Sequence, residues 1–425
     1  MQASAQAFHG SLMSGNALKK RRLDVAVFSY LGLITISQAV TTAETYSGAV
    51  LLRGLFFAAA TFSIIGLIKS RTSIAWVVPL VLLSIFLLWA LSGSILSGSI
   101  GLVSGDLARN IVLLALGTMV FGFTREGVVT ERVGYWLLWY FSMVFLVTVW
   151  FGGFKFSWPP GFEFAHATDF YGAEVSYSLG VSSFYAIASL TALHLATTNR
   201  HRVKAVLLVL MSLALMLVTF FGGARGESAV LLVLMLFVSV SRAPFWTMVI
   251  LSCMVGVFLW FIDFAVLMDS FVLLQRLSEV TGGYYGLRDQ LLVESLELLK
   301  FEPVCLMVGC GAGFFQHFYG YPSSLYPHNI LAEWVIVVGA VSGFLVAVFA
   351  IRGLVSYVRG VGHVDLFVLI FLYSLLVNLK SGSLLESWLT VSGAMFFMAV
   401  GLLARDGAGR PYRDTGGGMS GVFQN

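Results

Sequence analysis

The chain has 425 residues, of which 58% are hydrophobic and only 11% charged, with a mean hydropathy of +0.91 and a formal net charge of +4. Soluble domains average about 45–50% apolar and about 25% charged residues, so this is the composition of an integral membrane protein. It excludes a soluble enzyme, a nucleic-acid-binding module, a secreted disulfide scaffold and a single-anchor receptor. The apolar residues form unbroken runs of about 16–24, each long enough to cross a hydrocarbon core about 30 Å thick as a helix. Barrel strands would instead alternate apolar and polar residues.

The first 24 residues are polar and end in Lys19-Lys20-Arg21-Arg22, ahead of an apolar run from Val25 to Thr41. No short apolar core with a small-residue cleavage site is present, so the run reads as a retained first helix with a cytoplasmic amino terminus. The remaining spans are predicted at 49–68, 73–96, 108–123, 133–151, 174–197, 204–222, 228–241, 244–262, 328–351, 364–379 and 387–404. The fold class is therefore an all-α polytopic membrane protein with about twelve transmembrane helices. Residues 1–24 form a cytoplasmic segment, 25–262 carry nine spans, 263–327 form an outer loop domain, 328–404 carry three spans, and 405–425 form a cytoplasmic tail.

Alternating sides from a cytoplasmic start collects 17 of the 25 Lys and Arg residues inside and leaves 8 outside, as the bias of cytoplasmic loops toward basic residues requires. The basic side would face anionic headgroups, so the net charge says nothing of nucleic acid. Both long connections, Gly152–Ala173 and Asp263–Pro327, fall outside, which points to chemistry on that side. Within the second, Leu287–Lys300 is predicted to form an amphipathic helix with Leu287, Leu291, Leu292, Leu296 and Leu299 on one face, suited to lying on the membrane surface. No phosphate-binding G-x-x-x-x-G-K-[ST] loop occurs, which argues against ATP hydrolysis. Cys253 reads as a buried apolar residue of a span. Cys305 and Cys310 stand close enough for a disulfide in an oxidising compartment, with two buried thiols as the alternative.

Few cations fall on the outer side, so each needs a reason. Arg225 lies in Gly222-Gly223-Ala224-Arg225-Gly226-Glu227 between two spans. There, flanking glycines let a ligand approach the backbone and a helix start favours an anion. The guanidinium fork suits phosphate oxygens; snorkelling at the interface or pairing with Glu227 is the alternative. Arg288 opens the amphipathic helix, with Asp289 or Glu302 as ordinary ion partners, and Arg276 has Glu279 three residues on. Arg109 and Lys380 are further outer-edge cations. His328, in Tyr326-Pro327-His328-Asn329, stands where Pro327 marks a helix start. An imidazole there can be neutral near pH 7 and accept a proton, and neighbouring Arg charges would favour that state, which a general base requires. A histidine bonded to backbone is the competing reading. Glu163, His166 and Asp169 have no established metal-ligand spacing.

Three local patterns together resemble the O-antigen polymerase and O-antigen ligase superfamily of bacterial inner-membrane glycosyltransferases. They are Gly223-Ala224-Arg225-Gly226, the run from Arg288 through Glu302-Pro303 to Gly309-Cys310-Gly311-Ala312-Gly313-Phe314, and Pro327-His328-Asn329 followed by Gly339-Ala340-Val341-Ser342. The resemblance covers mainly residues 205–345. It departs at Ala229, where Leu is usual, and at Ser342, with the expected glycine displaced to Gly343.

The resemblance implies a polyprenyl-diphosphate-linked glycan donor and transfer of its sugar to a hydroxyl at the periplasmic face of the inner membrane. His328 would act as general base, with Arg225 and Arg288 on the leaving diphosphate, needing neither cofactor nor metal. Arg276, Asn329, Arg109 and Lys380 would be substrate-binding residues, Asn329 orienting the imidazole or a sugar hydroxyl. The acceptor would be a second lipid-linked repeat unit in a polymerase, the preferred reading, or lipid A core in a ligase. The implied partners are these substrates, the bilayer and a chain-length regulator protein. A transporter or flippase of lipid-linked sugars is the alternative from another class; it would place ionisable groups near the bilayer midplane.

Overall fold

The computed structural model describes residues 2–36, 43–69, 76–124, 129–151, 154–157, 161–164, 178–199, 201–221, 225–242, 287–323, 325–361 and 364–403. The predicted span at 244–262 lies outside them. The amino-terminal half contributes α1 (Gln2–Ile36), α2 (Ala43–Lys69), α3 (Val77–Leu96), α4 (Ile100–Thr124), α5 (Glu131–Trp150), α6 (Ser178–Thr198), α7 (Arg202–Phe221) and α8 (Arg225–Arg242). Then follow α9 (Leu287–Phe301), α10 (Pro303–Val308), α11 (Phe314–Tyr319), α12 (Ile330–Val338), α13 (Ala340–Val361), α14 (Leu366–Ser381) and α15 (Trp388–Leu403).

Among the described residues, six helices are long and apolar enough to cross a membrane, in α2, α3, α4, α5, α7 and α13, and α8, α14 and α15 contain shorter apolar helices. The protein is thus a helical, multi-pass membrane protein. Besides the helices, Phe154–Ser157 and Gly161–Phe164 pair as a short antiparallel hairpin, with Phe154 opposite Phe164 and Ser157 opposite Gly161. Both segments alternate aromatic and polar residues with the period of a strand.

The bundle is centred on α6, in which every residue from Val181 to Ala196 is buried. Small residues make this possible. Ser189 Oγ donates to the Ser212 carbonyl of α7 at 2.8 Å and Ser212 Oγ donates to the Ser189 carbonyl at 2.8 Å, so the helices touch with their hydroxyls satisfied. The crossing of α13 and α15 is tighter still. A Cβ on Gly353 would strike the Phe397 carbonyl, and one on Gly401 would strike the Phe349 carbonyl. The outward face of α13 presents Val341, Phe344, Val348 and Ile351, all exposed, as a lipid-facing helix must.

The predicted span 328–351 is not one helix. α12 ends after nine residues at Gly339, whose φ of +87° breaks it before α13 begins. The cause is a neighbour remote in sequence. A Cβ on Gly339 would meet the Met307 carbonyl, and one on Gly309 would meet Val337, so two glycine corners lie back to back. Cys310 N and Gly311 N donate to the Ile336 and Val337 carbonyls at 2.7 and 3.1 Å, satisfying acceptors at the end of α12.

The predicted amphipathic helix exists as α9, but its buried stripe is narrower and rotated. Leu291, Ser295 and Leu298 are buried, Leu292 and Leu299 are half-buried, and Leu296 is exposed. The stripe packs with Cys305, Phe315 and Ile336 in a separate small core. Ser295 fits because its hydroxyl donates to the Leu291 carbonyl at 2.7 Å. Cys305 and Cys310 form a disulfide.

Candidate functional site

Asn329 stands at the N-cap of α12, where its Oδ1 accepts from the backbone N–H of Leu331 and Ala332 at 3.0 and 3.1 Å. Its Nδ2 donates to the Leu379 carbonyl near the end of α14 at 2.8 Å. The amide thus braces two helix ends against each other. Directly before it, His328 has φ of +51°, in the left-handed region. Such a conformation is uncommon for a residue with a side chain and persists only where the surroundings enforce it. Here Pro327 is buried, and the imidazole lies against the Tyr326 ring with centroids 4.1 Å apart. His328 is partly buried, at the mouth of its helix rather than in the core.

The next residue on α14 after Leu379 is Lys380. Its ammonium pairs at 3.4 Å with the carboxylate of Glu227, which is 1% exposed. A Cβ on Gly226 would collide with the Lys380 side chain, so the opening turn of α8, Arg225-Gly226-Glu227, is folded onto the end of α14. The sequence offered Arg225 as a partner for Glu227; among the described residues its ion partner is Lys380. The cap of α12, the end of α14 and the start of α8 therefore meet at one end of the bundle. Arg225 is the first residue of α8 and Arg288 the second of α9, but both side chains lie outside the described residues, as does Arg276 altogether. The helix that carries Arg288 packs through Leu291 and Leu298 toward Ile336 of α12. The side chain of Glu163, and all of His166 and Asp169, also fall outside.

Glu333, which sequence reasoning passed over, is buried on α12. Its carboxylate accepts from Leu384 N at 2.9 Å and from Ser383 Oγ at 3.4 Å. It therefore pins the turn joining α14 to α15. The signal was legible: an acidic residue within an apolar run is costly and needs a task. Nearby, α11 is fastened to α9 by Tyr319 Oη donating to the Glu294 carbonyl at 2.8 Å and Tyr321 Oη donating to the Glu294 carboxylate at 3.1 Å. Desolvation first, then Glu294, pushes both phenols above the ordinary tyrosine range.

A cavity of about 360 Å³ lies between α1, α2, α4, α6, α14 and α15. Arg109 reaches it, its guanidinium 5.9 Å from the centre of the Trp388 ring. Arg53, Asn378, Glu386 and Ser387 also line it. Asn378 Nδ2 donates to Thr390 Oγ1 at 2.7 Å, and Trp388 Nε1 donates to Asn110 Oδ1 at 3.0 Å, so the walls are held in place. Among the described residues, no three His, Cys, Asp or Glu side chains gather into a metal-binding group. No protein-family model and no curated protein matches the chain.

Proposed function

We propose that the protein is a glycosyltransferase of the inner membrane that uses a polyprenyl-diphosphate-linked glycan as donor and works at the periplasmic face. In this reading His328 removes the proton from the acceptor hydroxyl, the hydroxyl oxygen attacks the anomeric carbon, and the bond to the diphosphate breaks. Arg225 and Arg288 stabilise the charge left on the departing diphosphate. Asn329 holds the residue next to the imidazole in register, and Lys380 with Glu227 sets the Arg225 turn beside it. The helices provide sideways entry for a lipid tail.

The observation that carries the reading is the meeting of His328, Asn329, Lys380 and the opening turn of α8 at one end of the bundle, although they are separated by up to about 150 residues in sequence. The disulfide in the same outer loop supports an oxidising compartment for that end. The preferred acceptor is a second lipid-linked repeat unit, making the enzyme an O-antigen polymerase; lipid A core as acceptor would make it a ligase. Incubating the purified protein with labelled lipid-linked repeat units tests this. Lengthened chains are expected; transfer only onto lipid A core would establish the ligase, and movement of the substrate across vesicles without transfer would establish a transporter.

A further inference from the structure

From Pro303 to Ala332 the sequence has no Asp, Glu, Lys or Arg. At the head of this stretch α10, Pro303-Val304-Cys305-Leu306-Met307-Val308, is apolar throughout and yet turns outward. Only Cys305 is buried; Val304 is 61% and Met307 59% exposed, and Phe301 just ahead of the helix is more exposed still. Water is a poor solvent for such a face, since each exposed apolar Å² costs about 25 cal/mol. The preceding helix differs: α9 buries its apolar stripe against protein and keeps Glu297 and Lys300 on its open side.

The depth of α10 follows from its neighbour. α3 runs for 20 residues, about 30 Å of helix, which matches the hydrocarbon thickness. Trp89 lies seven residues before the last residue of α3, Leu96, about 10 Å along the axis. Its indole Nε1 donates to the Val308 carbonyl at 2.7 Å, so the end of α10 lies at hydrocarbon depth. The chain then turns through Gly309 and Gly311, both at positive φ, and returns along α3. Ala312 N donates to the Ala90 carbonyl at 3.4 Å, and the Ala312 carbonyl accepts from Ser94 and from Ser99 in the turn beyond Leu96. The path goes in as a helix and comes back as a glycine turn.

Irregular backbone is tolerated at that depth only where protein covers it. A Cβ on Gly309 would meet Val337 of α12, and one on Gly311 would strike Ser94 of α3, so the turn is enclosed. The Cys305 and Val308 carbonyls accept from Gly309 N and from Trp89. Polar backbone thus faces protein while the side chains of α10 face away from it. Continuity names what they meet: Ile85, Leu88 and Trp89 on α3 and Val341 and Phe344 on α13 are exposed, and α10 is in contact with both spans. Its apolar face extends the surface that these helices offer to lipid.

We propose that residues 303–312 form a re-entrant hairpin immersed in the leaflet at the Leu96 end of α3, with the exposed face of α10 against phospholipid acyl chains. α10, and not α9, is then the membrane anchor of the outer loop. This holds whether or not the protein transfers sugars.

The test is collision spectroscopy of nitroxide labels on the full-length protein in vesicles of phosphatidylethanolamine and phosphatidylglycerol. Labels are placed by Val304→Cys or Met307→Cys together with Cys253→Ser, the disulfide being left unreduced; Phe344→Cys supplies the lipid reference and Glu297→Cys the water reference. At 304 and 307 the ratio of oxygen to nickel-chelate accessibility should match that at 344 and exceed that at 297 by several-fold. A ratio equal to that at 297 puts α10 in water, and labels that neither reagent reaches put it under protein, from a second copy or another part of this chain; either result overturns the proposal. A second measurement needs no substitution and decides the matter if the labelled variants fail to fold. Irradiating the wild type in vesicles that hold a phospholipid with a photoreactive acyl chain should give adducts within 301–308 as well as in α3 and α13; adducts in the two spans with none in 301–308 would overturn it too.

Discussion

Asn329 donates its side-chain N–H to the backbone carbonyl of Leu379 across 2.8 Å, and this one bond ties the start of α12, beside His328, to the end of α14, beside Lys380. The same amide caps α12 through its oxygen. Replacing Asn329 by Ala removes the cap and the brace together and should cost about 1–2 kcal/mol of stability, read as a lowered Tm. Asn329→Asp keeps the cap oxygen and loses the donor, so it should fall between. Equal Tm for all three proteins would show that the brace is not made in solution.

His328 offers a way to separate backbone from chemistry. Its left-handed conformation costs an alanine of order 1 kcal/mol and a glycine nothing steric. Both His328→Ala and His328→Gly should insert and fold, and both should lose transfer by about 10²-fold or more if the imidazole is the base. Full turnover in either would remove the assignment.

Arg225 begins α8 where the helix folds onto Lys380. Arg225→Ala is expected to lower the rate of transfer by about 10²–10³ with little change in Tm. An unchanged rate would place the leaving diphosphate elsewhere.

Glu333 is buried with the N–H of Leu384 as its closest partner. Glu333→Gln preserves an acceptor oxygen and should be mild, whereas Glu333→Ala strands that N–H and should cost about 1–3 kcal/mol. The comparison of the two melting temperatures checks whether the carboxylate acts by bonding the turn.

Cys305 and Cys310 close a short loop. By the chain-entropy estimate, Cys305→Ser with Cys310→Ser should destabilise the protein by about 2 kcal/mol. Thiol labelling of the unreduced, unfolded wild type should find neither cysteine reactive; labelling of both would refute the bridge.

The long helices were legible because continuous apolar runs need only local information. The break at Gly339 was not, since its cause is Gly309, some thirty residues earlier in the chain and back to back with it. The α9 stripe was misplaced for a similar reason: Leu296 looks like core by periodicity, but Ser295, with its hydroxyl satisfied internally, is what the small disulfide-bearing core accommodates. At the candidate site, His328 and Asn329 declared themselves through Pro327 and the helix start. Arg53 did not, because it comes to line a cavity only when α2, α4 and α15 enclose one.

The glycine corner also bears on how such a protein can move. Residues 308–312 are bonded on one side to the end of α12 and on the other to α3 and the turn after it, where Ser94 Oγ and Ser99 Oγ both donate to the Ala312 carbonyl and Trp89 Nε1 donates to the Val308 carbonyl. This stretch is a fixed strut between two helices, unable to swing aside as a gate without giving up all of those bonds at once. Any motion of the helices around it that keeps those bonds has to pivot on this stretch.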